Sequence, residues 1–316
     1  MFKAIVSRLA LGMVTLLAVT MLIFAATEVL PGDVATAVLG QGATQATVAQ
    51  YRKQLGLDQP APIRYWRWLS GTLHGNFGTS MTNQLPVAQE VAPRLRNTLF
   101  LAAFSALIAV PLSIALGLLS AIHENGLIDR GTNVLAVFAI SFPDFFIAYI
   151  LIYIFSSRLG LFPSLATLSS GMSLAQRIHH IILPAVALTA LVTAHMMRTT
   201  RNTILSEMSK PYIETAFLKG FGRIRVIVRH ALPNVWAPII TVVALNLAYL
   251  VVGVVVIEVV FVYPGIGQLM VDAVSKRDLP VVQACGLIFS AVFVSLNTLS
   301  DMLALYANPR LRRGAR

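Results

Sequence analysis

Long apolar runs recur along this chain, at about 9–30, 98–121, 132–156, 181–198, 238–262 and 281–306. They limit the fold more than any other feature. A run of about 20 apolar residues, rising 1.5 Å per residue as a helix, covers the roughly 30 Å hydrocarbon core of a bilayer. In that medium each backbone N–H and C=O must find its partner inside the protein, so the runs read as helices. The expected fold is an all-α polytopic membrane protein with six transmembrane helices. The 181–198 run is short and carries Pro184 near its start, so its assignment rests on length and on the parity of the other spans.

Lys3 and Arg8 precede the first run, as basic residues also precede the core of a cleaved signal peptide. Such a core is about 7 to 15 residues long and ends at a small-residue cleavage site. Here the run continues to Leu30 and meets Pro31, Gly32 and Asp33, which favours an uncleaved first helix. Of 316 residues, 57% are hydrophobic and 12% charged, too apolar for soluble domains of that length. The net charge of +11 would suit a nucleic-acid partner, but no basic cluster with interleaved aromatics occurs outside residues 207–233. None is expected, and the charge fits loops beside a membrane. Cys285, the single cysteine, has no intrachain disulfide partner and lies in an apolar run as a packing residue.

Residues 31–97 are polar and mixed, broken by Gly40, Gly42, Gly56, Gly71, Gly75 and Gly78, with Trp66 and Trp68 as interfacial anchors. They are expected to form an insert between helices 1 and 2, with a short helix starting at Thr47 that places Val48, Tyr51 and Leu55 at helical spacing. Capping the bundle would be enough of a role for it. Orientation follows from the bias of lysine and arginine toward the cytoplasm, counted over short loops. With the N-terminus inside, the inner segments hold 14 Lys and Arg against 4 in the two short outer loops. The insert then lies on the extracytoplasmic side, and both termini are cytoplasmic. The domains expected are 1–30, the insert 31–97, a permease core 98–306 that includes a cytoplasmic loop 199–236, and a basic tail 307–316.

Within that loop, residues 207–233 form a basic amphipathic island, EMSKPYIETAFLKGFGRIRVIVRHALP. From Lys210 to Gly222 its pattern is helical. Tyr212, Ala216 and Lys219 share one face, while Ile213, Phe217 and Gly220 share the next. Gly220 and Gly222 are expected to end that helix, since glycine takes the left-handed backbone of a helix terminus. A second short helix is expected over Ile224 to Leu232, running into Pro233. Small residues at 216 and 220 would let another backbone approach closely, and Glu214 with the surrounding Lys and Arg supplies pairing charges. From its residues alone the island is equally a docking helix or an amphipathic helix lying on anionic lipid.

Glu214, Thr215 and Ala216, followed by Gly220, resemble the "EAA" loop of ATP-binding-cassette (ABC) importer permeases, with Thr215 in place of the middle alanine. Further pieces follow in order along the chain: LPGD (30–33), LGLDQP (55–60), YWRWL (65–69), GNFGTS (75–80), RLRNTLFLA (94–102), RHALPN (229–234), VVVIEVVFVYPGIGQLMVDAV (254–274), RDLPVV (277–282) and the terminal NPRLRR. Together they are similar to the permeases of dipeptide, oligopeptide and nickel importers over nearly the whole length. Pro233 stands where that family usually has arginine, Asn308 where it has aspartate, and Asp144 where it more often has a small or uncharged residue.

The resemblance implies a type I importer fold in a bacterial inner membrane. It also implies half of a translocation pathway for small peptides or a related solute, completed by a second, homologous permease. The partners implied are two ATPase subunits inside and an extracytoplasmic substrate-binding protein. Tyr212, Glu214, Thr215, Ala216, Lys219, Gly220 and Gly222 would then receive the ATPase stroke. No G-x-x-x-x-G-K-[ST] occurs, so ATP and Mg²⁺ are expected on the partner ATPases, with no cofactor or metal bound by this chain and no catalytic residue in it.

Charges near a bilayer centre cost roughly 2.5 to 3.5 kcal/mol on insertion scales and usually face a cavity or a partner. Asp144, placed mid-way in the third span, either lines a cavity and meets the amine of a peptide or a cation, or hydrogen-bonds neighbouring helices. Glu258, near the outer end of the fifth span, is more a structural group than a substrate contact. Asn246 and Asn297 are expected to bond between helices, and Asn246 joins Asp144 and Glu258 as a candidate pathway residue. His179 and His180 are adjacent and point apart, unlike a metal pair. His195 and Arg198 fall at the inner end of the fourth span, and Asp301 is placed to pair with a cytoplasmic arginine. A different class of function, a proton-coupled secondary transporter in which Asp144 titrates, would need no ATPase.

Overall fold

The computed structural model describes residues 2–29, 44–54, 58–169 and 171–307. In chain order its helices are α1 (Phe2–Val29), α2 (Gln45–Gln54), α3 (Ala61–Leu73), α4 (Val87–Ile122), α5 (Leu127–Ser141) and α6 (Asp144–Arg158). There follow α7 (Leu174–Met208), α8 (Pro211–Leu218), α9 (Arg223–Val260), α10 (Ile266–Ser275) and α11 (Leu279–Ala307). Among the described residues the only β pairing is an isolated bridge between Thr79 and Pro86. Helices α1, α4, α7, α9 and α11 are each long and apolar enough to cross a membrane, and α5 with α6 makes a sixth span if that bent pair is counted as one. The motif at 30–33, part of the one at 55–60 and the tail from 308 lie outside the described residues.

The third run does not form the single rod expected over 132–156. It breaks between α5 and α6 with a bend of 106°. Pro143 is the cause: the residue before a proline is driven out of the α region, and Phe142 is extended at φ −101°, ψ 142°. Asp144 therefore opens a helix instead of sitting inside one. The fourth span is longer than the 181–198 run. A capping box starts α7, in which Ser173 Oγ accepts from Gln176 N and the Gln176 side chain accepts from Ser173 N. That brings Arg177, His179 and His180 into the helix, with Pro184 inside it.

The second short helix expected over Ile224–Leu232 is instead the first turns of α9, which continues through Pro233 and Pro238 to Val260. A π-helical stretch, Ile227–Ala231, ends one residue short of Pro233. Its wider turn accommodates a residue that has no N–H and would crowd an α-turn. Helix α2 likewise begins before Thr47, because Thr44 Oγ1 accepts the Thr47 N–H at 3.3 Å and acts as its cap.

Two units pack separately. One comprises Met1–Gly12, Leu99–Tyr263 and Phe293–Arg316, the other Met13–Thr98 and Pro264–Val292. In the first, Leu101 and Ala109 of α4, Ile181, Leu188 and Met196 of α7, and Leu250, Val254 and Ile257 of α9 form a common core. Helix α7 is its axis: 67% of its most apolar window is buried, against 6% for α1. Arg8 pairs with Asp301 at 2.7 Å, so the expected pairing of Asp301 with an arginine is present.

In the second unit, Val87 and Val91 pack on Ile266, Leu269, Val281 and Cys285, which is fully buried as a packing residue. The insert is tied to this core through Asp278, whose carboxylate accepts from Ser80 Oγ at 2.5 Å, Met81 N at 3.1 Å and Thr82 Oγ1 at 2.8 Å. Tyr65 and Thr20 share a hydroxyl bond at 2.9 Å, Arg64 pairs with Glu28, and Gln283 Nε2 donates to Thr27 Oγ1 at 2.8 Å.

Candidate functional site

The 199–236 loop folds around α8. Pro211 occupies the first turn, where its missing N–H leaves no gap. The helix stops in a Schellman arrangement: Gly220 N donates to Phe217 O at 2.8 Å, Phe221 N donates to Ala216 O at 3.3 Å, and Gly220 takes φ +82°. Gly220 thus ends the helix as its residue type implied. Gly222 does a different job, as the extended N-cap of α9 at φ −69°.

One face of α8 is turned inward. Ile213 and Ala216 are buried against Val226 and Ala231, with Met208 and Phe221 beside them. Ala216, expected to let a partner approach, is only 6% exposed, so its small side chain serves packing within the loop itself. Glu214, Thr215, Lys219 and Gly220 face out, with Leu218 82% exposed. None of the described residues lies within 4 Å of a Cβ built on Gly220. Tyr212 is half turned in. Its hydroxyl donates to Glu207 Oε1 at 2.7 Å and accepts from Asn234 Nδ2 at 3.0 Å, bridging the end of α7 and the start of α9. Burial, then the bond to Glu207, pushes the Tyr212 phenol above its ordinary pKa, so it stays a donor. Lys210 Nζ meets the other Glu207 oxygen at 2.6 Å.

A second anchor escaped the sequence reading. Asp129, 3% exposed, accepts from Arg201 Nε at 2.6 Å and Nη2 at 2.7 Å, from Ser120 Oγ at 2.5 Å, from Asn125 N at 2.9 Å and from Asn133 Nδ2 at 2.8 Å. Nearby, Arg223 Nη2 bonds Glu124 Oε2 at 2.5 Å and Ala121 O at 3.1 Å. These bonds join the turn between α4 and α5 to α7 and to the first residue of α9. An acid in the first turn after an Asn-Gly pair was the only local signal, and it names no partner 72 residues away.

A cavity of about 630 Å³ opens between α6, α7 and α9. Its polar lining is Asp144, His195, Thr199, Asn246 and Tyr249, set in an apolar wall that includes Leu188, Val192 and Leu250. Asp144 and Asn246 are thus brought together. Among the described residues no donor or cation bonds the Asp144 side chain, so the expected alternative of bonding to neighbouring helices is not realised. His195, expected at the end of its span, lines the cavity instead, because α7 runs on for more than three turns beyond it. Glu258 is outside the lining and fully buried, its carbonyl accepting from Tyr263 N at 2.8 Å. Among the described residues Asn246 and Asn297 do not bond across helices; each amide donates to the carbonyl one turn earlier, Val242 at 2.9 Å and Phe293 at 3.0 Å. His179 Nε2 lies 3.2 Å from Leu161 O, and among the described residues no group of three or more His, Cys, Asp or Glu is arranged to hold a metal.

Taken together, membrane-length helices, a lined cavity and a capped loop helix define a class, the multi-pass helical membrane permease. Residues 113–313 match the family described as binding-protein-dependent transport system inner membrane component, and residues 1–102 match its N-terminal companion. The chain belongs to that family. Over 313 residues, 99% of either chain, it is 39% identical to the glutathione transport system permease protein GsiC of Salmonella typhimurium and to that of Pectobacterium atrosepticum. Over the same span it is 38% identical to GsiC of Escherichia coli K12. It is accordingly a permease subunit of an ABC importer in the peptide and nickel branch, an inner-membrane protein and not an enzyme.

Proposed function

We propose that this permease carries small peptides or a glutathione-like solute inward, with the cavity beside Asp144 and Asn246 as its half of the passage. Glu258, buried outside the lining, supports the neighbouring fold and touches no solute. A second, homologous permease closes the other side of the passage, and an extracytoplasmic binding protein delivers the solute. The 199–236 loop is cytoplasmic, as the excess of Lys and Arg in the loops on its side implies, and both termini lie on that side.

The observation that carries this proposal is the build of α8. A short helix projecting between two long spans exposes Glu214, Thr215, Leu218, Lys219 and Gly220, while Ile213, Ala216 and Tyr212 fix it to its own flanks. A surface docked there by an ATPase, which holds the ATP and Mg²⁺, moves α7 and α9 with it. Those two helices line the cavity, so a push at the loop changes access to the solute, as alternating between two states requires. The GsiC relatives, named for glutathione transport, and the apolar, peptide-sized cavity favour a peptide-like solute.

The test is reconstitution of this chain with its partner permease, ATPases and binding protein, followed by uptake of labelled dialanine and glutathione. ATP-dependent accumulation of either is expected. Accumulation of neither peptide, or accumulation that persists without ATP, would refute the proposal.

A further inference from the structure

We infer that Asp144 gives this cavity a site for an ammonium group, so that the passage favours solutes bearing one over solutes of equal size without one. The inference rests on the cavity being the passage and adds a charge requirement to it. Among the described residues Asp144 is the only carboxylate in the lining, and no Lys or Arg lines the cavity with it. The break at Pro143 sets this residue at the start of α6. Its Oδ2 would lie 3.9 Å from a Cβ on Gly253, so the glycine leaves that flank of the carboxylate open.

The neighbouring polar groups also suit an ammonium. Asn246 uses its amide N–H on Val242 O, leaving its carbonyl oxygen as an acceptor. Tyr249, 65% exposed, offers a ring face of the kind that holds cations. The rest of the wall is largely aliphatic, and a low-dielectric wall strengthens a lone charge on its surface. An anionic group would meet repulsion from Asp144 and no Lys or Arg in the described lining, whereas an ammonium would supply the partner that Asp144 lacks among the described residues. A carboxylate kept at membrane depth without a counterion is costly, and such groups are held where they face a polar path.

The test reads the field in the cavity without any transport. Leu245, which lines the cavity, is replaced in Leu245→Cys, and the native Cys285 is fully buried and serves as the background control. In the assembled importer, the rate of thiol modification is measured with a trimethylammonium-ethyl and with a sulfonatoethyl methanethiosulfonate. Adding Asp144→Asn is expected to lower the cation-to-anion rate ratio about tenfold, and Asp144→Glu to preserve it. A ratio unchanged by Asp144→Asn would overturn the inference. Because labelling needs neither ATP nor a correct choice of solute, a shifted ratio together with failed peptide uptake would defeat the proposed function and leave the ammonium site standing.

Discussion

Two carboxylates on the flanks of one bent helix pair have opposite surroundings. Asp129, near the start of α5, is buried and bonded by Arg201, Ser120, Asn125 and Asn133. Asp144, at the start of α6, faces a 630 Å³ cavity with no bonded partner among the described residues. The loop end of the protein satisfies its polar groups internally and behaves as a fastened joint. The cavity leaves Asp144 without a bonded partner among the described residues, which costs stability. On the proposed function, the bonded carboxylate belongs to the joint that transmits force, and the unbonded one faces the solute.

The comparison can be broken by substitution, with stability read as thermal unfolding of the purified permease in detergent. Asp129→Ala should show the largest effect, a loss of roughly 3 to 5 kcal/mol, because it strands the Arg201 guanidinium in a buried site. A loss below about 1 kcal/mol would mean that this joint is not fastened as described. Gly220→Val comes next, at roughly 1 to 2 kcal/mol, since a branched residue is strained at φ +82°. It should also separate ATP hydrolysis from uptake in the reconstituted importer; normal uptake would count against α8 as the coupling element. The cause is the strained backbone, as none of the described residues stands within 4 Å of an added Cβ.

Tyr212→Phe removes the bridge between Glu207 and Asn234 and should cost about 1 kcal/mol, visible as a lower unfolding temperature with insertion unchanged. Gly222→Ala should cost only about 0.5 kcal/mol, because φ −69° suits any residue and only the preference for glycine at an N-cap is lost. Equal losses at Gly220 and Gly222 would erase the distinction drawn between them. Asp144→Asn should be the smallest, neutral or slightly stabilising in the same melt, since it removes a charge that none of the described residues pairs. A melt lowered as far as that of Asp129→Ala would show the two carboxylates to be alike.

Much of the fold was legible because hydropathy and length measure what a bilayer demands, and a membrane-length helix accounts for each run except the third. Hydropathy does not register direction, however, so it passed over Pro143 and joined two helices set at 106°. Gly220 was readable as a helix end because a left-handed residue is a local requirement. Ala216 was misread because two faces of an eight-residue helix both look small and mixed, and only the packing of Val226 and Ala231 decides which one turns inward. The Asp129 cluster was invisible for a further reason: a pair formed across 72 residues leaves no periodicity at either end.

The π-helical stretch Ile227–Ala231 sets a rotational phase. An α-helix advances by about 100° per residue, so a single residue gained or lost there would rotate everything downstream by nearly a third of a turn relative to α8. Asn246, Tyr249 and Gly253 all lie downstream, and all line the cavity. Which residues of α9 line the cavity is therefore fixed by a count made in its first turns, beside the loop.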